Sequence, residues 1–93
     1  MKIAAPGTPE RRKQDKDMIT HPSNWPIWPR LPLKRLLQPM GWPEHGFVIN
    51  RSTTDDYVQP RVYIATIFDE KWEDNFLDYE DIDAILDDGW TVD

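Results

Sequence analysis

Carboxylates are the side chains this chain offers most freely for chemistry. It has seventeen Asp and Glu against eleven Lys and Arg and two His in 93 residues. Eleven of the acids fall in residues 69–93, beside a single Lys. Asp74, Asp78, Glu80, Asp83, Asp87 and Asp88 are spaced so that they could imitate the phosphates of a nucleic-acid backbone. Such a surface would be steered into the basic groove of a nucleic-acid-binding protein. The plainer reading of the same run is a solvated face. Acid–base catalysis needs two carboxylates whose surroundings push their proton affinities apart. So many acids always offer pairs, and no pair stands out.

The other reactive residues are few. His21 and His45 lie in loop-like sequence, and neither has a ligand partner at helical or hairpin spacing. The acids do not match the spacing of a calcium loop. With no Cys there is no thiolate nucleophile, disulfide or cysteine zinc site. No Gly-rich phosphate loop is present. No catalytic residue, metal or cofactor is expected, and the chain reads as a non-enzymatic binding protein.

A second binding signal is the stretch His21-Pro-Ser-Asn-Trp-Pro-Ile-Trp-Pro-Arg-Leu-Pro-Leu33. Pro26, Pro29 and Pro32 recur every third residue, the period of a polyproline II helix. That period aligns Trp25 and Trp28 on one edge and places Arg30 on another. Proline cannot donate to a sheet ladder, so an extended strap outside the central strands is expected. It would either supply core or present Trp25, Trp28 and Arg30 to a partner, since Trp and Arg dominate binding hot spots. Pro29 to Lys34 also fits a P-x-x-P-x-basic ligand, a pattern common by chance.

Positioning these groups requires a sheet and a helix. Residues 61–68, Arg-Val-Tyr-Ile-Ala-Thr-Ile-Phe, are rich in β-branched and aromatic residues and predict a central strand apolar on both faces. Residues 46–50 predict an antiparallel neighbour, with the turn at Asp55-Asp56 and residues 38–46 as loop. Leu33 to Leu37 could be a short strand or one helical turn. Tyr79, Ile82, Ile85 and Leu86 form one apolar helix face, with Asp78 as the expected N-cap, Gly89 at the C-terminal stop and Trp90 packing back. Thr8-Pro9-Glu10 is a helix start, but Arg11 to Asp17 have no apolar face. Residues 1–20 are therefore expected as a basic flexible or weakly helical arm, and residues 21–93 as a single small domain.

Charge is split along the chain. Residues 1–35 carry eight basic and three acidic side chains, and residues 36–93 three basic and fourteen acidic, for a net −6. Opposite halves can attract each other or face different partners. The net charge disfavours direct nucleic-acid binding by the arm. No apolar run approaches membrane-spanning length, so no membrane and a cytoplasmic location are expected.

The run Asn24 to Arg35, then Val62-Tyr63-Ile64-Ala65, then the acidic tail ending Asp88-Gly89-Trp90-Thr91-Val92-Asp93, resembles small orphan proteins of bacteriophages and mobile elements. The resemblance is one of style over residues 24–93 and carries no signature residues. It implies an accessory protein, of a kind that can inhibit host enzymes or defence systems. The reading is an α+β domain: a small antiparallel sheet centred on residues 61–68, one C-terminal helix on one face, and an extended Trp/Pro strap on the other. Its function would be to bind a protein, as in blocking a host nucleic-acid-binding enzyme with the acidic face. The alternative is a structural or virion-associated component that holds a neighbour with its arm and strap.

Overall fold

The computed structural model describes residues 7–37, 41–51, 54, 57–65 and 71–93. The expected turn at Asp55-Asp56, residues 66–68 of the expected strand, and residues 1–6 of the expected arm lie outside the described residues. Elements run α1 (Pro9–Thr20), a 3-10 turn (Pro22–Asn24), β1 (Arg30–Leu37), β2 (Trp42–Ile49), β3 (Arg61–Tyr63), a second 3-10 turn (Trp72–Asp74), β4 (Phe76–Asp78), α2 (Ile82–Asp87) and β5 (Thr91–Val92). The strands form one antiparallel sheet in the order β4-β3-β2-β1-β5. The α+β class therefore holds, and β2, one strand from β3, occupies the middle.

The longest pairing joins β1 to β2, from Arg30 opposite Ile49 to Leu37 opposite Trp42. Residues 42–46, expected as loop, are thus strand. So is the second half of the Trp/Pro segment, which divides into a 3-10 turn, a turn at residues 26–29 and β1 rather than one extended strap. Pro32 is tolerated because an antiparallel strand points alternate backbone groups to opposite sides. Asn50 N–H donates to Pro29 O and Asp93 N–H to Pro32 O, each at 3.0 Å. The missing N–H of Pro32 therefore faces away from β2, at the end of the short β5 ladder.

One face of the sheet carries the main core. Leu31, Leu33, Val48 and Val62 pack against Ile19 of α1, Ile85 and Leu86 of α2, and Trp25 and Trp90. Trp25 thus lies on the helix side, not across the opposite face, because its indole N–H donates to Met18 O at 2.7 Å and ties it to the end of α1. Burying an indole such as Trp25 or Trp90 contributes about 4–6 kcal/mol of transfer free energy before ordering costs. The opposite face holds a smaller cluster of Phe47, Tyr63 and Ala65, with Ile49 and Trp72 against it. Residues 62–65 alternate between the faces because β3 and the two residues after it serve both clusters.

α1 is part of this domain. Thr8 caps it as the sequence indicates, accepting from Arg11 N–H at 3.2 Å. It lacks an apolar face, yet Ile19 is fully buried and Asp15 is buried in an ion pair with Arg11. Arg11 also donates to Val92 O at 2.7 Å, fastening the helix to β5. The described part of the expected arm is thus docked by its last turn and by charged side chains. α2 starts later than expected: Asp78 pairs in β4, and Asp81 is the N-cap, accepting from Ala84 N–H at 2.8 Å. Gly89, at φ +92°, turns the chain after α2, so Trp90 swings back onto the core.

Gly46 is the tightest position in the sheet. A Cβ there would lie 2.7 Å from Tyr63 O, 2.8 Å from Val62 Cγ1 and 3.2 Å from Trp90 Cη2. Gly46→Ala should lower stability by about 1–3 kcal/mol through overpacking, measured as the loss in unfolding free energy in urea. An unchanged urea midpoint would show that Trp90 and Val62 can give way.

Candidate functional site

The expected acidic surface is largely committed within the chain. Lys16 Nζ lies 3.0 Å from Asp83 Oδ2, and Arg12 bridges Asp83 Oδ1 at 3.5 Å and Asp87 Oδ1 at 2.8 Å. Arg12 also donates to the Asp83 carbonyl at 3.2 Å. The hydrogen bond from Lys16 is the main cause that holds the Asp83 carboxyl below its ordinary pKa, and the bond to Asp87 raises that of Arg12. Arg35 binds Asp88 and Glu44, each at 2.6 Å, and Arg61 binds Asp78 at 2.6 Å. Four of the six carboxylates, Asp78, Asp83, Asp87 and Asp88, thus answer the chain's own cations. Asp74 and Glu80 are exposed and have no ion pair among the described residues.

Asp88 belongs to a tighter network. Tyr79 Oη donates to Asp88 Oδ2 at 2.5 Å and accepts from the Trp90 indole at 3.0 Å. Burial, then the bond to Asp88, raises the pKa of Tyr79. Arg35 lies 4.6 Å over the Trp90 ring, a cation–π contact. The network fastens α2 and the segment after it to β1 and β2.

The three residues singled out in the Trp/Pro segment do not converge. Trp25 is core. Trp28 is 43% exposed, and its indole donates to Asn50 Oδ1 at 3.0 Å. Arg30 sits on the opposite face of the sheet, 5.2 Å from the Phe47 ring and 4.9 Å from that of Trp72. There Phe47, Tyr63, Trp72 and Phe76 form one aromatic cluster with centroids 4.9–5.9 Å apart. Arg61 covers its far end, 4.0 Å from the Phe76 ring.

The site that sequence reasoning missed is a groove of about 640 Å³ between α1, the turn at 26–29, and the paired ends of β1 and β5. Its size is that of a ligand pocket, about 300–1,000 Å³. Met18, Pro26, Ile27, Leu31, Pro32 and Val92 line it. Its charged lining includes Arg11, which Asp15 and Val92 O occupy, and the exposed carboxylates of Asp17 and Asp93. Asp93 lies 3.4 Å from Lys34 Nζ, while Asp17 has no ion pair among the described residues. The groove joins residues from the two ends of the chain, so no local pattern encodes it. The one available signal was Ile27, an apolar residue between two Pro-bound tryptophans, which is 46% exposed.

Among the described residues, no three His, Asp or Glu side chains gather into a metal-binding group, and no helix is long and apolar enough to cross a membrane. The chain matches no protein-family model, no curated protein and no solved structure.

The depressed carboxyl of Asp83 gives a signed pH effect. Its stabilisation is fully present above the unfolded-state pKa and is lost as pH falls through the lower folded-state value. Asp83→Asn should therefore unfold at lower urea than the wild type at about pH 7, and the gap should narrow at an acid pH below the ordinary carboxyl range. Urea titrations at both pH values check this, and a gap that persists in acid would assign the effect to packing.

Proposed function

We propose that this is a non-enzymatic accessory protein that works by binding another protein, which it holds in the groove between α1, the 26–29 turn and β5. The observation that carries this reading is the groove itself: an apolar cleft of ligand-pocket size, with Ile27 exposed and an excess of carboxylates in its lining. Burial of one apolar anchor gives affinity, and opposite charge around it gives register and rate. The fitting partner segment is an apolar side chain flanked by Lys or Arg.

The resemblance to phage orphan proteins supports an accessory role, and inhibition of a host nucleic-acid-binding enzyme is the specific form it suggests. Such an enzyme offers basic segments, which suit this groove better than a phosphate-mimicking helix whose Asp83 and Asp87 already meet Arg12 and Lys16. A structural role that relied on a free basic arm has less support for the same reason, since those two cations are engaged.

Selection from a random peptide library on the immobilised protein tests the reading. Sequences with an apolar residue flanked by Lys or Arg should be enriched, and Ile27→Asp should weaken their binding about tenfold or more. Lys13→Glu, at an exposed position outside the groove lining, should leave binding unchanged. Enrichment of acidic peptides, or equal binding by the folded Ile27→Asp variant, would remove the groove as the contact.

A further inference from the structure

Residues 36–93 carry only three Lys or Arg, and two of them, Arg51 and Arg61, line one cleft. It lies on the aromatic face of the sheet and shares no lining residue with the groove. Phe47 pairs with Tyr63, and continuing that register sets Arg61 opposite Ile49, with Arg51 just beyond the end of β2. The cleft measures about 100 Å³, and Tyr57, Gln59 and Tyr63 complete its walls.

Both guanidinium groups flank one neutral side chain, Tyr63, with that of Arg61 6.0 Å from the centre of its ring. Arg51 Nη2 lies 3.4 Å from the Tyr63 hydroxyl. The hydrogen bond to Asp78 is the main cause that raises the pKa of Arg61. Asp78 takes two donors of Arg61, Nε at 2.6 Å and Nη2 at 3.3 Å. Arg51 is exposed and has no carboxylate within ion-pairing distance among the described residues. Each guanidinium has five N–H donors, and most of them take no partner among the described residues. Set against the one carboxylate of Asp78, the two guanidinium groups leave one positive charge without a counter-ion among the described residues.

We propose that this cleft binds a phosphoryl anion between Arg51 and Arg61. The forked guanidinium matches pairs of phosphate oxygens and forms charge-assisted hydrogen bonds with them. Water's share of liquid volume is about 30 Å³, so the cleft has room for a phosphoryl group but not for a nucleoside behind it. A larger ligand would leave its remaining part outside, where Tyr57, 66% exposed, offers a ring for a flat base. The phosphoryl group could come from free phosphate or from a nucleoside monophosphate.

Proton–nitrogen NMR of the full chain distinguishes these. Inorganic phosphate, at constant ionic strength, should shift the side-chain Nε–H signals of Arg51 and Arg61 saturably. Arg51→Gln, checked for folding by circular dichroism, should weaken this by about tenfold or more. Arg51→Lys, which keeps the charge, should retain part of it. Adenosine monophosphate binding tighter than phosphate would assign a nucleotide, and equal affinity the phosphoryl group alone. No saturable shift with either, the same shifts from sodium chloride, or wild-type affinity in Arg51→Gln would overturn the proposal.

Discussion

A missing side chain at residue 46 lets the domain close. The Trp90 indole lies against the sheet at a point where any Cβ would collide with it, with Val62 and with the backbone of Tyr63. In return the ring is held on two other sides, by the Arg35 guanidinium over its face and by the Tyr79 hydroxyl at its nitrogen. β5 begins at the next residue, so the placement of Trp90 also sets where Val92 meets Arg11 of α1. The helix layer, the last strand and the groove wall all follow from this one close approach.

Local features were legible in the sequence, and long-range ones were not. The Thr8 cap, the Ile82-Ile85-Leu86 face, the Gly89 turn and the two-faced strand at residue 61 each rest on neighbours within a few positions. Asp78 was misread as a cap because its pairing with Arg61 in the β3–β4 ladder outweighs a helix start there. The missing donor of Pro32 points to a strap outside the central strands for Arg30 to Leu33, whereas in β1 the blank side of Pro32 meets the sheet's short edge. The docking of α1 is not legible for a different reason. An amphipathic stripe is the usual signal for docking, and α1 docks by ion pairs with residues about seventy positions away and by Ile19 in its last turn. Its own formula, opposite charges in the two halves, was visible, but the pairing partners were not.

The same charges sort the molecule by layer. Arg12 and Lys16 are turned toward the carboxylates of α2, so the most acidic stretch is also the most compensated. The aromatic face collects Arg30, Arg51 and Arg61, with two of them resting on rings. An overall charge of −6 therefore describes neither surface. Counting residues along the chain hides the contrast, because the strands interleave distant segments and side chains alternate between faces.

Asn50 connects what the sheet separates. Buried to 1% exposure, its side chain accepts from the Trp28 indole and donates to Tyr57 O, while its backbone N–H holds Pro29. The turn that carries Ile27 and the strand-edge segment that carries Tyr57 thus share a single amide as their common fastening. Replacing that amide would remove the hydrogen bonds that hold Trp28 and the Tyr57 carbonyl together, so one side chain anchors both the groove wall and the cleft wall.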